Sequence, residues 1–184
     1  MALLICRLEK PFHIREQFDC GDGALNGYLK RYAWQNQQSH RVGITYVAAD
    51  ESQPQVVIGY YTLAMSEITS DSLPDKLKRL PYLAIPAILL ARLAVDLRFR
   101  GRGLGWHLLA DALDRALFIG NQVGCRCLIV YAYPAAVGWY RKFGLIEIEG
   151  ARPGASHTKM YIDLRTIAKA KRTPVAAILE NKQT

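Results

Sequence analysis

Apolar positions recur along the first third of the chain in two periods, one typical of helices and one typical of strands. Behind the turn-forming residues 20–23, apolar side chains repeat at helical spacing over residues 24–37, which predicts an amphipathic helix. Residues 44–49 and 56–64 are rich in β-branched and aromatic side chains, and a polar segment separates them. These two runs predict an antiparallel hairpin.

The remainder of the chain carries the strongest periodicity. Residues 87–95 are almost continuously apolar, which is typical of a central strand covered on both faces. Residues 104–119 then repeat apolar side chains on one helical face, and Gly120 and Asn121 supply a stop signal. The other predicted elements are a short helix and loop at 72–86, a strand at 127–131, a helix at 135–142 behind Pro134, and closing strands at 145–148 and 159–164. We therefore predict a mixed α/β fold around one apolar sheet.

Composition limits the protein class. A chain of 184 residues that is 51% hydrophobic suffices for one well-buried core, so we expect a single domain. The formal charge of +8 favours polyanionic partners such as nucleic acid or a nucleotide cofactor. Four unevenly spaced cysteines indicate reduced thiols. The apolar run at residues 2–6 is too short for a membrane span, so we expect a soluble, cytoplasmic protein with no membrane partner.

The segment with the clearest chemistry reads Arg-Phe-Arg-Gly-Arg-Gly-Leu-Gly at residues 98–105, between a predicted strand and a predicted helix. Alternating glycines let the backbone approach a ligand, and a helix start offers free N–H groups to a pyrophosphate. The Lys-Ser/Thr pair of a nucleotide-binding P-loop is absent, and so is the sixth-position glycine of a dinucleotide-binding turn. A plain connecting turn remains the alternative.

Together with residues 93–96, this segment resembles the acetyl-CoA signature of the GNAT superfamily, in which Arg or Gln is followed by Gly and then by Gly or Ala at fixed spacing. The resemblance implies a single-domain GNAT fold, with a mixed, mostly antiparallel sheet flanked by helices and splayed central strands that hold acetyl-CoA. It implies cofactor contacts from strand residues Leu93, Ala94 and Val95 and from turn residues Arg98, Arg100, Gly101, Arg102, Gly103, Leu104 and Gly105.

Residues 134–145 resemble a later motif of the same superfamily, in which an aromatic pair precedes a basic residue and Phe-Gly. The tyrosine that matches Tyr140 protonates the departing CoA thiolate in that motif. A phenol with an ordinary pKa near 10 is protonated at neutral pH and can donate its proton to sulfur. Core packing is the alternative role for Tyr140.

A narrower resemblance extends from Phe18 to Leu164 and points to the GNAT toxins of bacterial toxin-antitoxin pairs. It implies acetylation of the amino group of aminoacyl-tRNA, which blocks translation, and neutralisation by a ribbon-helix-helix antitoxin. Promoter DNA would then be bound only through the antitoxin. We also expect a homodimer.

Basic side chains agree with an RNA substrate, because phosphate contacts supply much of nucleic-acid affinity. The candidate tRNA-binding residues are Lys30, Arg31, Arg41, Lys76, Lys78, Arg79, Arg141 and Lys142. A solvated charged surface is the alternative for each of them.

No glutamate stands in the predicted central strand to act as general base, and Asp96 and Glu67 stay open as more distant candidates. An α-amine, with a pKa near 7.7 to 8.0, is roughly a fifth to a third neutral at pH 7.4 and needs little help. Cys125 and Cys127 fit structural thiols better than acyl carriers, and we predict no metal site at His107 or His157.

Two other functions stay open: acetylation of a protein N-terminus or small amine, and nucleic-acid binding with a vestigial CoA site. We expect the acetyltransferase domain to occupy residues 1–164. The basic tail at 165–184 receives no role.

Overall fold

The computed structural model describes residues 2–69, 77, 84–148 and 156–172. Its strands are β1 (Leu3–Arg7), β2 (Ile44–Asp50), β3 (Gly59–Thr69), β4 (Ala84–Val95), β5 (Cys127–Ala132), β6 (Ile146–Glu147) and β7 (Thr158–Asp163). Its α-helices are α1 (Gly23–Gly27), α2 (Ala33–Gln35), α3 (Leu104–Val123), α4 (Pro134–Lys142) and α5 (Leu164–Arg172). Two π-helical segments, Tyr28–Tyr32 and Asn36–His40, continue α1 and α2.

The strands form one sheet in the order β1-β2-β3-β4-β5-β7-β6. The pairs β1–β2, β2–β3, β5–β7 and β6–β7 are antiparallel. With helices flanking this mostly antiparallel sheet, the predicted mixed α/β fold is confirmed. None of the helices in the described ranges combines the length and the hydropathy of a membrane-spanning segment.

Two compact units divide the chain. The first comprises Met1–Glu67 and Ile88–Asp114, and the second comprises Ile68–Ala87 and Arg115–Thr184. In the first unit, the fully buried Tyr60 ring meets Phe18 edge-to-face, with ring centres 5.5 Å apart, and its hydroxyl donates to the Leu25 carbonyl. These contacts hold the first helical segment against the sheet.

The second unit is built around β5 and β7, which pair over six residues from Cys127↔Asp163 to Ala132↔Thr158. Cys127, Leu128 and Ile129 are fully buried. Arg126 and Asp163, at the start of β5 and the end of β7, form a two-point ion pair with N–O distances of 3.0 and 2.7 Å. The pair fixes the register where helix α5 begins.

The predicted end of the long helix was wrong. Helix α3 runs past Gly120 and Asn121 to Val123, and Gly124, with φ +77°, provides the left-handed residue that ends it. Gly120 has a packing role instead. A Cβ there would lie 3.1 Å from the Cys125 carbonyl oxygen and 3.4 Å from Leu164, so only glycine lets these segments approach the helix.

The N-terminal strand β1 was missed, because its apolar residues are not bounded by turn signals. It pairs with β2 from Leu3↔Asp50 to Arg7↔Tyr46. Strand β3 also begins later than predicted, at Gly59, because the segment before it pairs with Ile14 instead: the Val57 amide donates to the Ile14 carbonyl, and the Ile14 amide donates to the Gln55 carbonyl. The predicted helix and loop at 72–86 falls mostly outside the described residues, and its last three residues belong to β4.

Candidate functional site

The glycine-rich turn between β4 and α3 has the backbone shape that an anion site requires. Gly101 and Gly103 adopt φ angles of +74° and +76°. A Cβ added at either position would meet nothing within 4 Å. Glycine is therefore needed here for the left-handed backbone and not because space is short. Residues 101–103 are exposed, so this backbone is open to a ligand.

Helix α3 begins directly behind this turn. The amides of Trp106 and His107 donate to the Gly103 carbonyl at 3.0 and 3.3 Å, which makes Gly103 the residue that precedes the first helical turn. The earlier amides of such a turn have no partner within the helix, and the positive end of the dipole of this 20-residue helix lies among them. The turn can therefore bind a phosphate or pyrophosphate.

Asp96, the residue after β4, anchors the turn from beneath. Its side chain is 1% exposed, and it accepts hydrogen bonds from the Arg98 guanidinium at 2.8 and 2.9 Å and from the amides of Arg98 and Asp19 at 3.0 and 3.1 Å. Burial alone raises the pKa of Asp96, but these four bonds outweigh it and hold the pKa below its usual value. Asp96 is thus a structural anion, and both its oxygens are occupied.

The three arginines of the turn are used differently from one another. Arg98 pairs with Asp96, and the Arg100 guanidinium donates to the Cys20 carbonyl. Arg102 lies over the Phe99 ring, 5.4 Å from its centre. The three guanidinium groups therefore contribute unequally to the positive charge of the turn, because the charge of Arg98 is balanced by Asp96 and Arg100 donates to a backbone carbonyl.

A second turn, at residues 19–21, supports the first and was not recognised from the sequence as part of the site. The Leu97 amide donates to the Asp19 carbonyl at 2.8 Å, in addition to the contacts of Asp19 with Asp96 and of Cys20 with Arg100. Gly21, with φ +76°, would bring a Cβ to 3.5 Å from Leu97. Turn-forming residues at 20–23 indicated a turn here. Its contact with Asp96 joins positions 77 apart in the chain and could not be predicted from the sequence.

Strand β4 leads into the turn with Leu93 and Val95 half-buried and Ala94 buried. The Asp96 amide donates to the Ile58 carbonyl at 3.0 Å. Gly59 permits this approach, because a Cβ there would lie 3.3 Å from the Ala94 carbonyl oxygen and 2.9 Å from Leu108. Arg92, the one charged side chain of the strand, stacks over Tyr28 at 3.6 Å, and β4 carries no carboxylate.

Tyr140 lies on helix α4, which starts with Pro134 at its first turn. The side chain is 7% exposed and meets Trp139 edge-to-face, with ring centres 4.9 Å apart. Burial raises the pKa of Tyr140 to about 12, so the phenol keeps its proton at neutral pH.

The candidate tRNA-binding residues are only partly described. Arg31, Arg41 and Lys142 are exposed, and Lys30 is half-buried. Arg141 is exposed but bonded to Glu147. The remaining three, Lys76, Lys78 and Arg79, lie outside the described residues.

The Cys127 thiol is fully buried and offers no competing nucleophile. Burial raises the pKa of the Cys127 thiol to about 12, which leaves it protonated and unreactive. Among the described residues, no cluster of histidine, cysteine and carboxylate side chains could hold a metal ion. Glu67, the other candidate base, is exposed on β3.

Comparison with known proteins gives concordant results. A family model described as an acetyltransferase (GNAT) domain matches residues 41–145. A protein of Mycobacterium tuberculosis (strain ATCC 25618 / H37Rv) named tRNA-acetylating toxin is 35% identical over 117 residues, which are 62% of this chain and 67% of that protein.

Solved structures agree with the sequence relatives. The structure of AtaT complexed with acetyl-methionyl-tRNAfMet superposes with a TM-score of 0.81, at 28% identity over 91% of this chain and 98% of that one. The structure of AtaTR bound with AcCoA superposes with a TM-score of 0.77, at 29% identity over 92% of this chain and 98% of that one. An AtaT variant bound to the C-terminus of the antitoxin AtaR gives 0.77 at 25% identity, over 94% and 100%.

Proposed function

The chain belongs to the GNAT family of acetyltransferases and is an N-acetyltransferase that uses acetyl-CoA, and from that membership we propose that its acceptor is the α-amino group of an aminoacyl-tRNA. Acetylation of that amine removes the nucleophile that peptide-bond formation needs, so the enzyme acts as a toxin that stops translation. The tRNA-acetylating relatives support this acceptor, and the charge of +8 suits a polyanionic substrate.

The observation that carries the proposal is the turn at residues 98–105. Its two left-handed glycines and the start of α3 fit the pyrophosphate of CoA, because backbone amides at a helix N-terminus favour an anion. We assign the pyrophosphate contacts to the amides of residues 100–105. The backbone of Leu93, Ala94 and Val95 is assigned to the pantetheine arm.

Bound acetyl-CoA supplies an activated acetyl thioester. The chain's own residues then orient it, hold it and manage one proton. Strand amides near Val95 stabilise negative charge on the carbonyl oxygen as the amine attacks. Tyr140 donates its phenolic proton to the departing sulfur, and its raised pKa ensures that the proton is present across the physiological range. The attacking nitrogen releases one proton as the amide forms, and an equivalent proton returns to the phenolate through solvent.

The acceptor amine needs no dedicated base from this chain. An α-amine with a pKa of 7.7 to 8.0 is roughly a fifth to a third neutral at pH 7.4, whereas a lysine amine is neutral only about one part in a thousand. The bonds around Asp96 also leave that carboxylate without a free oxygen. An α-amino acceptor is therefore favoured over a lysine side chain.

Transfer of radiolabelled acetate from acetyl-CoA tests the acceptor directly. The acceptors to compare are charged tRNAs, the same tRNAs without amino acid, a peptide with a free N-terminus, and a polyamine. We expect label only on charged tRNA. Label confined to the peptide or polyamine would assign the enzyme to protein termini or small amines, and RNA binding with no transfer would indicate a vestigial CoA site.

The partners follow from the same proposal. AtaT is bound to the antitoxin AtaR, and we extend this to a ribbon-helix-helix antitoxin for the present chain, through which promoter DNA is bound. We further propose a homodimer that acts in the cytoplasm, where charged tRNA is used. A small ribbon-helix-helix reading frame beside this gene and rescue of growth by its product are the expected results. Growth unaffected by expression of the toxin alone would contradict the toxin function.

A further inference from the structure

Two exposed tyrosines stand at the end of strand β5 and have no part in the chemistry proposed above. Tyr131 is 50% exposed and Tyr133 45% exposed, whereas Ile129 is fully buried. Because strand side chains alternate, Ile129 and Tyr131 share one face of β5, and Tyr133 follows the strand directly, at the start of helix α4. That face changes within two residues from covered core to open aromatic surface.

Strand β7 and the residues before it place polar side chains beside each tyrosine. Lys159 is the register partner of Tyr131, and its Nζ lies 5.7 Å from the centre of that ring. His157 lies against Tyr133, with ring centres 4.5 Å apart and planes tilted by 45°. The Ser156 hydroxyl lies 2.8 Å from Nδ1 of His157 and helps to orient the imidazole. We name Tyr131, Tyr133, His157 and Lys159 the aromatic platform.

Lys159 gives the aromatic platform a positive charge that a phosphate can approach. Lys159 is half-buried and pairs with no carboxylate of the described residues. Half-exposed aromatic faces beside a lysine are the combination on which unpaired bases stack while a neighbouring phosphate is neutralised. A base-paired duplex does not offer its base faces in this way, since they are already stacked on one another.

We propose that the aromatic platform binds unpaired bases at the single-stranded 3′ end of an RNA, with base faces on Tyr131 and Tyr133 and a phosphate at Lys159. This inference rests on the proposed function, because the amino acid of a charged tRNA is carried on such an end. It adds a recognition surface within the second unit and explains why two large rings are left in solvent there.

Binding of a fluorescein-labelled single-stranded RNA ending in CCA, measured by anisotropy without acetyl-CoA, tests the aromatic platform. The double variant Tyr131→Leu/Tyr133→Leu should bind about tenfold more weakly or worse, because each stacked base is lost. Tyr131→Phe/Tyr133→Phe, which keeps both aromatic faces, should bind within about twofold of the parent. Phe118→Leu removes a ring that is 67% exposed elsewhere and should change nothing. Equal loss in the phenylalanine and leucine variants would overturn stacking.

A charge variant keeps the test decisive if the leucine variant folds poorly. Lys159→Gln should weaken RNA binding. It should also reduce the magnitude of the slope of log affinity against log salt concentration by about 1, which corresponds to the loss of one phosphate contact. Unchanged affinity and slope in Lys159→Gln, or equal binding of a blunt duplex, would overturn the proposal. So would a parent protein that binds antitoxin peptide at this face but no single-stranded RNA.

The transfer assay separates this inference from the function on which it rests. If charged tRNA is acetylated with the same KM by the parent and the leucine variant, the aromatic platform is refuted and the function stands. If the parent binds the labelled RNA through the tyrosines but transfers acetate to no charged tRNA, the function is refuted and the aromatic platform stands. If the proposed function and the aromatic platform are both correct, the leucine variant has a raised KM for charged tRNA and an unchanged KM for acetyl-CoA.

Discussion

Tyr140 illustrates how burial can adapt one side chain for acid catalysis. Desolvation on helix α4 disfavours the phenolate and raises the pKa to about 12. A proton donor must hold its proton until the sulfur leaves, so this direction of shift serves the assigned role. The aromatic pair was recognisable from the sequence, but the shift was not, since it depends on packing around the ring.

Replacement of Tyr140 by phenylalanine should lower turnover by roughly two to four orders of magnitude, because only the donated proton is lost. Affinity for acetyl-CoA should stay unchanged in calorimetry, which separates catalysis from binding. Tyr60→Phe is the matched control: it removes another buried hydroxyl, one that bonds to the Leu25 carbonyl. Turnover of Tyr140→Phe within a few fold of the parent would reject Tyr140 as the acid.

The pH dependence of kcat/KM follows from two groups, the acceptor amine and the Tyr140 phenol. The rate should rise as the acceptor amine loses its proton near pH 7.7 to 8.0 and then reach a plateau. Tyr140 stays protonated below its pKa of about 12, so no falling limb is expected between pH 8 and about 10. Initial rates at constant ionic strength measure this profile. A bell-shaped curve with an upper pKa near 9 would require another acid.

At the scale of elements, the turn before α3 is held by a network that begins outside the signature. Asp96 joins Arg98 to the Asp19 backbone, and Arg100 reaches the Cys20 carbonyl. The sequence was sufficient to predict the strand, the glycine turn and the helix in the right order. The sequence could not predict the contacts of residues 19–21 with this turn, because no local pattern links positions so far apart in the chain.

Gly103→Glu should abolish measurable binding of acetyl-CoA in a calorimetric titration. The substitution forces a side chain onto a left-handed backbone and adds negative charge where the pyrophosphate is expected. Gly124→Glu is the matched control, since Gly124 has φ +77° and equally open surroundings at the opposite end of helix α3. The Gly124→Glu variant carries the same backbone strain and should bind acetyl-CoA with the affinity of the parent. Equal affinities in all three proteins would remove the turn from the site.

Asp96→Asn tests the anchor beneath the turn. Loss of hydrogen bonds to a buried charged group should lower the free energy of unfolding at pH 7 by about 1.5 to 3 kcal/mol. The folded-state pKa of Asp96 is depressed, so its contribution is present above the unfolded pKa near 3.8 and lost as pH falls through the lower folded value. Denaturant titrations should therefore show a difference at pH 7 that shrinks near pH 2. A difference independent of pH would assign the loss to packing.

At the scale of the whole molecule, the fold and the chemistry agree although the predicted boundaries shifted. Periodicity predicted most strands and both long helical segments, because amphipathic faces must be buried. It failed where the cause is non-local: β1 exists only as a partner of β2, and Gly120 is kept for contact with Cys125 and Leu164. The net charge of +8 indicated a polyanionic partner but could not place it.

A crystal structure of the protein with acetyl-CoA tests the cofactor site directly. We expect the diphosphate to lie within hydrogen-bonding distance of the backbone amides between Arg100 and Gly105. A cofactor bound elsewhere, with that turn occupied by its own side chains, would show that the turn is not the cofactor site.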